Sequence, residues 1–528
     1  DLNEAAVKSY ESAIAINPNY VEAHYSLGIA LKDLGKLDEA VKKFKVVLAI
    51  KPNFAEMHNN LGVILQELDQ LDSAVNHFEQ ALSIKPDFFE AFKNLGNVYT
   101  DLDQNDAAVA AYEKAISINP NYHEAYYCLG ISLQKLEKLD IAAKSYEQAI
   151  KIKSNYPEAH NNLGVVLLDL GKKNDALKHY ENALALKPEF VEAHFNHGNI
   201  CRVLGNIDSA INSYLAALAI NPEYVEAYNN LGNIYKEIGQ LHDSIECFNK
   251  ALLIRYNYAD AHNNLGNALV EMGETQVACK SYQRAIDINP DYAEAHNNLG
   301  IANYKLGKLD IASKMYNKAI ILNSKYADCY ANLAIVMRDL KQFDGAISNY
   351  EKAVGLNSKL NYIQGDLFHT RMHICSWDNW QSNINELTKN IDNHNKSANP
   401  FSMLALVDDP NIQKKTSEIY IGHLYPKSES YQKIKLYPRH KKIRLGYFSA
   451  DFRDHPVSDL TVELYERHNR DKFEIFAFSF GVDTKDKMNI RVKSGVDYFH
   501  DVHKMSYEEV VKLSRSFEID IAIDLGGF

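Results

Sequence analysis

No apolar run in the sequence approaches the roughly 20 residues that a membrane-spanning helix needs, so nothing in it asks for a bilayer. There is no surplus of positive charge: 57 Lys and Arg stand against 69 Asp and Glu, a formal net charge of −12. Non-specific nucleic-acid binding leaves a basic footprint, and its absence argues against that class of partner. Cysteine is sparse. Cys128, Cys201, Cys247, Cys279, Cys329 and Cys375 are widely scattered, with no C-x-x-C pair. That usage fits reduced thiols in a cytoplasm and supplies neither a disulfide framework nor a metal-binding one. No G-x-G-x-x-G follows the strand at Ile443–Ser449, where a dinucleotide-binding loop would belong, and this weighs against a Rossmann oxidoreductase. What is present, 46% apolar and 24% charged residues, is the composition of a soluble globular protein. At 528 residues the chain exceeds one ordinary domain.

Internal repetition organises residues 1–360. Ten units of 34 residues follow one another without a gap from Val21 to Leu360, and residues 1–20 match the second half of another unit. Position 20 of the unit is small: Ala40, Ala74, Ala108, Ala142, Ala176, Ala210, Ser244, Ala278, Ala312 and Ala346. Position 24 is always aromatic, from Phe44 and Phe78 through Tyr146 to Tyr350. Position 8 is Gly in every unit except the last, which has Ala334. Small residues let two helices approach closely, and the aromatic ring fills the space between them. Gly35, Gly171, Gly205, Gly239, Gly273 and Gly307 fall between the two halves of a unit, where a helix C-cap belongs.

This pattern resembles the tetratricopeptide repeat. The resemblance implies a right-handed superhelix of helix pairs whose first helices line a concave, peptide-binding face. On a helical wheel, positions 4, 7, 8 and 11 share one mostly apolar side, and positions 2, 5, 6, 9 and 13 share the other. Position 6 of that second side is Asn60, Asn94, Asn162, Asn196, Asn230, Asn264, Asn298 and Asn332, with Ser26 and Cys128 in the other two units. Position 5 repeats the theme with Asn59, Asn161, Asn229, Asn263 and Asn297. Asn is a mediocre helix former, so propensity did not select it. An amide offers a donor and an acceptor, and a row of them can pair with the backbone of an extended polypeptide of any sequence. The competing reading is that these amides satisfy neighbouring helix ends. Position 2 is acidic in every unit, which complements the helix dipole. His24, His58, His160, His194, His262 and His296 share position 4. They lie on successive helix pairs, too far apart to converge on one ion, and are expected to pack.

Periodicity breaks after Leu360. Residues 361–440 read as a helical connection, with an amphipathic helix over Asp378–Ile391, a polar loop over Asn393–Pro400 and a second helix over Asn411–Leu424. Tyr437–Lys442 forms a basic link. From residue 441 strands alternate with helices, the signature of a parallel sheet. The expected strands are Ile443–Ser449, Phe473–Phe480, Asp497–Asp501 and Ile519–Leu525, with helices starting at Pro456 and Tyr507. His455 therefore falls on a strand-to-helix turn, at the edge of an open sheet where ligands bind. A structural helix-capping His is the alternative.

Three segments, GYFSADFRDHPVSDL (446–460), DKFEIFAFSFGVD (471–483) and DIAIDLGGF (520–528), are similar to the N-terminal catalytic lobe of the O-linked N-acetylglucosamine transferase family in its bacterial branch. The plant SPINDLY O-fucosyltransferases are relatives of that family. FSMLALVDDP (401–410) resembles its intervening segment, and a tetratricopeptide array in front is the family's own arrangement. The resemblance implies a GT-B glycosyltransferase of Rossmann-like lobes that moves a sugar, with UDP-N-acetylglucosamine the expected donor, to Ser or Thr of protein acceptors. It implies no cofactor and no metal. It places the His of the family's H-P motif on His455 as the candidate catalytic residue, and the Asn ladder as the acceptor-binding surface. Where animal members carry a second His, this chain has Asp459. The residues 441–528 read as a truncated N-terminal lobe, so the nucleotide sugar is expected to depend on a second lobe beyond Phe528, and the chain as given is expected to be inactive. A non-catalytic adaptor that binds extended peptides is the competing function.

Overall fold

The computed structural model describes residues 2–424, 437 and 440–525. The segment 425–436, Pro438 and Arg439 of the basic link, and Gly526–Phe528 lie outside the described residues. The chain divides into two compact units, residues 1–238 with 253–255, and residues 239–252 with 256–528.

The first unit opens with the helix Leu2–Ile16 and continues in helix pairs, Val21–Asp33 with Leu37–Ile50 through Val191–Val203 with Ile207–Ile220. In the second unit the pairs run from Ala259–Glu271 with Thr275–Ile288 to Ala327–Asp339 with Phe343–Leu356. Each 34-residue unit is one such pair. The position-24 ring is the centre of its packing: Phe78, Tyr146, Tyr214 and Tyr350 are all 0% exposed. The ring lies against the position-8 glycine of its own pair. A Cβ added to Gly130 would sit 2.6 Å from Tyr146 Cε1, and one added to Gly164 would sit 2.7 Å from Tyr180 Cε1. The glycine is thus required for close approach.

The turn inside each pair needs a left-handed residue. Gly171 and Gly205 adopt φ 76° and 80° there. Asp69, Asp103, Glu137 and Lys341 occupy the same place with φ of 57° to 61°, each at a cost of about 1–2 kcal/mol that Gly would avoid. The acidic position 2 is tied to the end of its own unit: Glu56 pairs with Lys85 at 3.5 Å, Glu158 with Lys187 at 3.3 Å and Glu226 with Arg255 at 2.9 Å. These pairs are exposed and add little stability.

After the last repeat come helices Ile363–His373, Trp380–Asp392, Pro400–Leu406 and Pro410–Leu424. The first of them carries Asp366, a buried carboxylate that the sequence did not single out. Its Oδ1 accepts from Asn399 Nδ2 at 2.7 Å and Ser402 Oγ at 3.0 Å, with Arg338 at 3.9 Å. Burial raises the Asp366 pKa against the pull of Arg338. Asn399 also accepts from Ser402 N–H and so caps the helix Pro400–Leu406.

Residues 443–524 form a four-stranded parallel sheet of β1 (Ile443–Ser449), β2 (Phe473–Ser479), β3 (Tyr498–Asp501) and β4 (Ile521–Asp524), in the order β3-β2-β1-β4. Helices Pro456–Arg467, Lys487–Gly495 and Tyr507–Ser516 connect them. Both faces are covered: Ile475 and Ala477 of β2 pack with Tyr447, Tyr465 and Val492, while Phe476 and Phe478 pack with Val502 and Val510. The helix Lys487–Gly495 was not expected. Of its residues only Asn489, Val492 and Gly495 are buried and Ile490 is exposed, so its apolar period is too weak to read. No helix among the described residues is long and apolar enough to cross a membrane.

Candidate acceptor face and candidate active site

The position-6 amides form a stitched row rather than a free one. Asn94 Nδ2 donates to Asn59 Oδ1 of the preceding unit at 3.0 Å, Asn196 to Asn161 at 3.0 Å, and Asn332 to Asn297 at 3.1 Å. Asn298 donates to Asn263 and Asn267, and Asn230 to Asn199 at 2.9 Å. Where the preceding unit has Tyr at position 5, its hydroxyl accepts instead: Asn60 donates to Tyr25 and Asn162 to Tyr127. The structure corrects the grouping of positions 5 and 6 on one open face. Asn59, Asn161, Asn229, Asn263 and Asn297 are buried, between 1% and 8% exposed. Asn59, Asn161, Asn263 and Asn297 serve as receivers for the next repeat. The position-6 amides are half-buried. Asn298 spends its amide N–H groups on two acceptors, while each of the other amides named here spends one and keeps one N–H, and every Oδ1 keeps acceptor capacity.

His455 sits in the loop that leaves β1. The strand order 3-2-1-4 reverses direction between β1 and β4, which makes the carboxyl edge of β1 the switch point of the sheet. Phe448 O of β1 accepts from Leu525 N beyond β4 at 2.9 Å, so the loops after the two strands leave side by side. His455 is the N-cap of the helix Pro456–Arg467, in an extended backbone conformation (φ −159°, ψ 144°). Its Nδ1 accepts from Val457 N–H at 3.3 Å. An Nδ1 that accepts leaves the proton of a neutral ring on Nε2. Asp451 Oδ2 is 3.8 Å from Nδ1, beyond hydrogen-bond reach. A His–Asp dyad with the His as base needs an Nδ1–H directed at the carboxylate, and this geometry does not provide one.

The same bond limits the helix N-terminus as an anion site. Pro456 has no N–H, Val457 N–H is given to His455, and Asp459 N–H is given to His455 O at 3.1 Å. In the first turn only Ser458 N–H remains, on a residue that is itself 0% exposed.

Residue patterns match this picture. Residues 3–35, 30–69, 96–137, 135–171, 198–239, 232–273 and 266–307 match a TPR repeat profile, and further tetratricopeptide profiles match 55–88, 157–190, 293–326 and 327–360. Residues 415–527 match glycosyl transferase family 41. The chain is a tetratricopeptide-repeat protein, and its family-41 match is confined to residues 415–527. A relative is the probable UDP-N-acetylglucosamine–peptide N-acetylglucosaminyltransferase SEC of Arabidopsis thaliana, 28% identical over 177 residues. The alignment covers 31% of this chain and 18% of the plant protein, so the chain spans less than a fifth of that relative. Among solved structures, MamA is 31% identical, with 31% of this chain and 95% of that chain covered and a TM-score of 0.29. YrrB, described as a TPR protein with an unusual peptide-binding site, is 24% identical, with 35% and 95% covered and a TM-score of 0.32.

In this family-41 lobe the residues that hold His455 in place escaped the sequence reading. Ser458 Oγ donates to Asp451 O, and Asn489 Nδ2 donates to Phe452 O at 2.7 Å. Both side chains are buried. Asp486 accepts from Asp454 N–H at 3.1 Å, from Asn489 N–H at 2.8 Å and from Thr484 Oγ1. The Thr484 bond first, then the backbone N–H bonds, hold the Asp486 carboxyl below the usual range. Three loop residues, Asp451, Phe452 and Asp454, are thus pinned from two helices and the cap of one of them. The only signal was a polar residue at a core position of the helix Lys487–Gly495, and that helix was itself unread.

Proposed function

We propose that this chain supplies the acceptor-holding array and the His455-bearing lobe of a protein O-glycosyltransferase that moves N-acetylglucosamine from UDP-N-acetylglucosamine to Ser or Thr of protein acceptors. The match of residues 415–527 to family 41 and the donor and peptide acceptor in the plant relative's description support the reading. The observation that carries it is the placement of His455 at the sheet's switch point with its proton on Nε2. In the reaction the acceptor oxygen bonds to the sugar C1 as the C1–O bond to the diphosphate breaks, and the hydroxyl proton leaves for a phosphate oxygen or water. His455 Nε2–H is a hydrogen-bond donor for the oxygen on which charge develops. It positions and stabilises, and it is not the base. Backbone groups of an extended acceptor pair with the remaining N–H and Oδ1 of the position-6 amides.

The test is transfer by the complete protein, wild type against a variant with Asn230, Asn264, Asn298 and Asn332 all changed to Ala. The wild type is expected to transfer N-acetylglucosamine and release UDP. The variant is expected to show a raised KM for long protein acceptors, with each lost amide worth about 1 kcal/mol, and an unchanged kcat on a short Ser peptide. Ala is the better helix former, but the variant also loses the bonds to Asn199, Asn263, Asn267 and Asn297, so a thermal melt accompanies the kinetics. A wild-type protein that transfers nothing from this donor points to the adaptor. An unchanged KM in a folded variant removes the ladder from acceptor binding.

A further inference from the structure

Five of the six position-4 histidines share a fixed tautomer. Nε2 of His24, His58, His194, His262 and His296 lies 2.8–3.0 Å from the carbonyl oxygen of the residue six positions earlier. A carbonyl only accepts, so each Nε2 carries the proton and each Nδ1 presents a lone pair. In His24 and His296 that Nδ1 is buried without a partner. In two units Nδ1 of the position-4 ring faces position 23 on the second helix of the same unit. Across the ten units, position 23 is His in two, His77 and His179, and those are units whose position 4 is also His. There the two rings meet: His58 Nδ1 lies 3.0 Å from His77 Nδ1, and His160 Nδ1 lies 2.9 Å from His179 Nδ1. The ring centroids are 5.2 and 5.1 Å apart, with interplanar angles of 32° and 31°. One geometry is therefore built twice.

From this we infer that units 55–88 and 157–190 each hold a divalent transition-metal ion of the imidazole-preferring class (Ni²⁺, Cu²⁺ or Zn²⁺) between the two Nδ1 atoms. With metal–nitrogen bonds of about 2.1 Å, two nitrogens this close subtend about 90° at the ion, the angle of neighbouring positions in an octahedral or square-planar shell. The hydrogen bond from Nε2–H of His58 to the carbonyl of Pro52 is the outer-shell contact that orients metal-binding imidazoles. Apo, one Nδ1–H bridges each pair. On binding, the position-23 ring carries its proton on Nε2 instead, and both lone pairs face the ion. Burial, and the facing ring for His77 and His160, lower the pKa values of His77, His160 and His179, which favours the neutral form that ligates. Among the described residues no three His, Cys, Asp or Glu side chains converge on such a point, so water completes the shell and hard ions such as Mg²⁺ are not held.

The experiment is isothermal titration of NiCl₂ and CuCl₂ into the metal-free chain, with MgCl₂ as the negative control. His77→Ala and His179→Ala are each expected to lose one equivalent relative to wild type, and the double variant two. His24→Ala and His296→Ala, whose rings have no partner imidazole, are expected to lose none. Copper electron paramagnetic resonance of the wild type should show coupling to two imidazole nitrogens, and this decides the matter if the double variant does not fold. A double variant that loses fewer than two equivalents, or a wild-type copper spectrum without paired nitrogen coupling, overturns the inference.

Discussion

Replacing His455 with Ala in the complete protein is expected to lower kcat for transfer by about 10²–10³-fold, the usual loss when one preorganised donor to a developing oxyanion is removed. The same change removes a helix cap. Val457 N–H loses its acceptor, which costs about 0.5–2 kcal/mol of stability. Activity alone would thus not separate chemistry from folding. His455→Asn separates them. Asn is among the best N-cap residues and can accept from Val457 N–H, but it places no donor where imidazole Nε2–H stood. The expected result is a similar loss of kcat in both variants, with a lowered Tm in the Ala variant alone. If the Asn variant turns over like wild type, His455 is a cap and nothing more. A bell-shaped pH profile that loses one limb in both variants would instead make His455 the base. The Nδ1 bond to Val457 predicts no such loss.

That distinction marks where the sequence stopped being legible. The repeat could be read because the same constraint recurs ten times: a small residue at 20, a ring at 24 and Gly at 8 leave one way to pack two helices. The strands of the lobe were legible as β-rich runs between turn signals. The placement of His455 at a strand-to-helix turn followed from Pro456, which fixes a helix start. Its role did not follow, because the role depends on which ring nitrogen the backbone engages, and no pattern of residue types encodes that. The same holds for the Asn ladder. Sequence shows Asn at positions 5 and 6, but only the stacking of one repeat on the next reveals that position 5 is buried and takes one N–H from position 6. His77 and His179 are illegible for a related reason: along the array the position-4 rings never meet, and only across the helix pair do two of them meet a partner ring. Asp366 and Asn489 are buried polar residues on helices with weak apolar periodicity, Ile363–His373 and Lys487–Gly495, and neither helix was read.

Tyr146→Ala tests the packing rule on which the array rests. Tyr146 is 0% exposed, its ring covers the site where a Cβ on Gly130 would fall, and its hydroxyl donates to Gln134 Oε1 at 3.2 Å. Truncation leaves a cavity that glycine cannot fill from the other side, and large aromatic-to-Ala changes in cores cost about 3–5 kcal/mol. Tyr146→Phe removes only the hydroxyl. Phe44, Phe78 and Phe248 occupy the same repeat position fully buried, so the cost there is expected to stay within about 1 kcal/mol. Because each unit is held by its neighbours, the Ala effect should be local. Hydrogen exchange should show lost protection in residues 123–156 and the adjoining units, while units 21–54 and 327–360 keep theirs. A single sharp loss of protection along the whole array would mean that the repeats unfold as one body. An Ala variant as stable as the Phe variant would mean that the position-24 ring does not carry the packing at all.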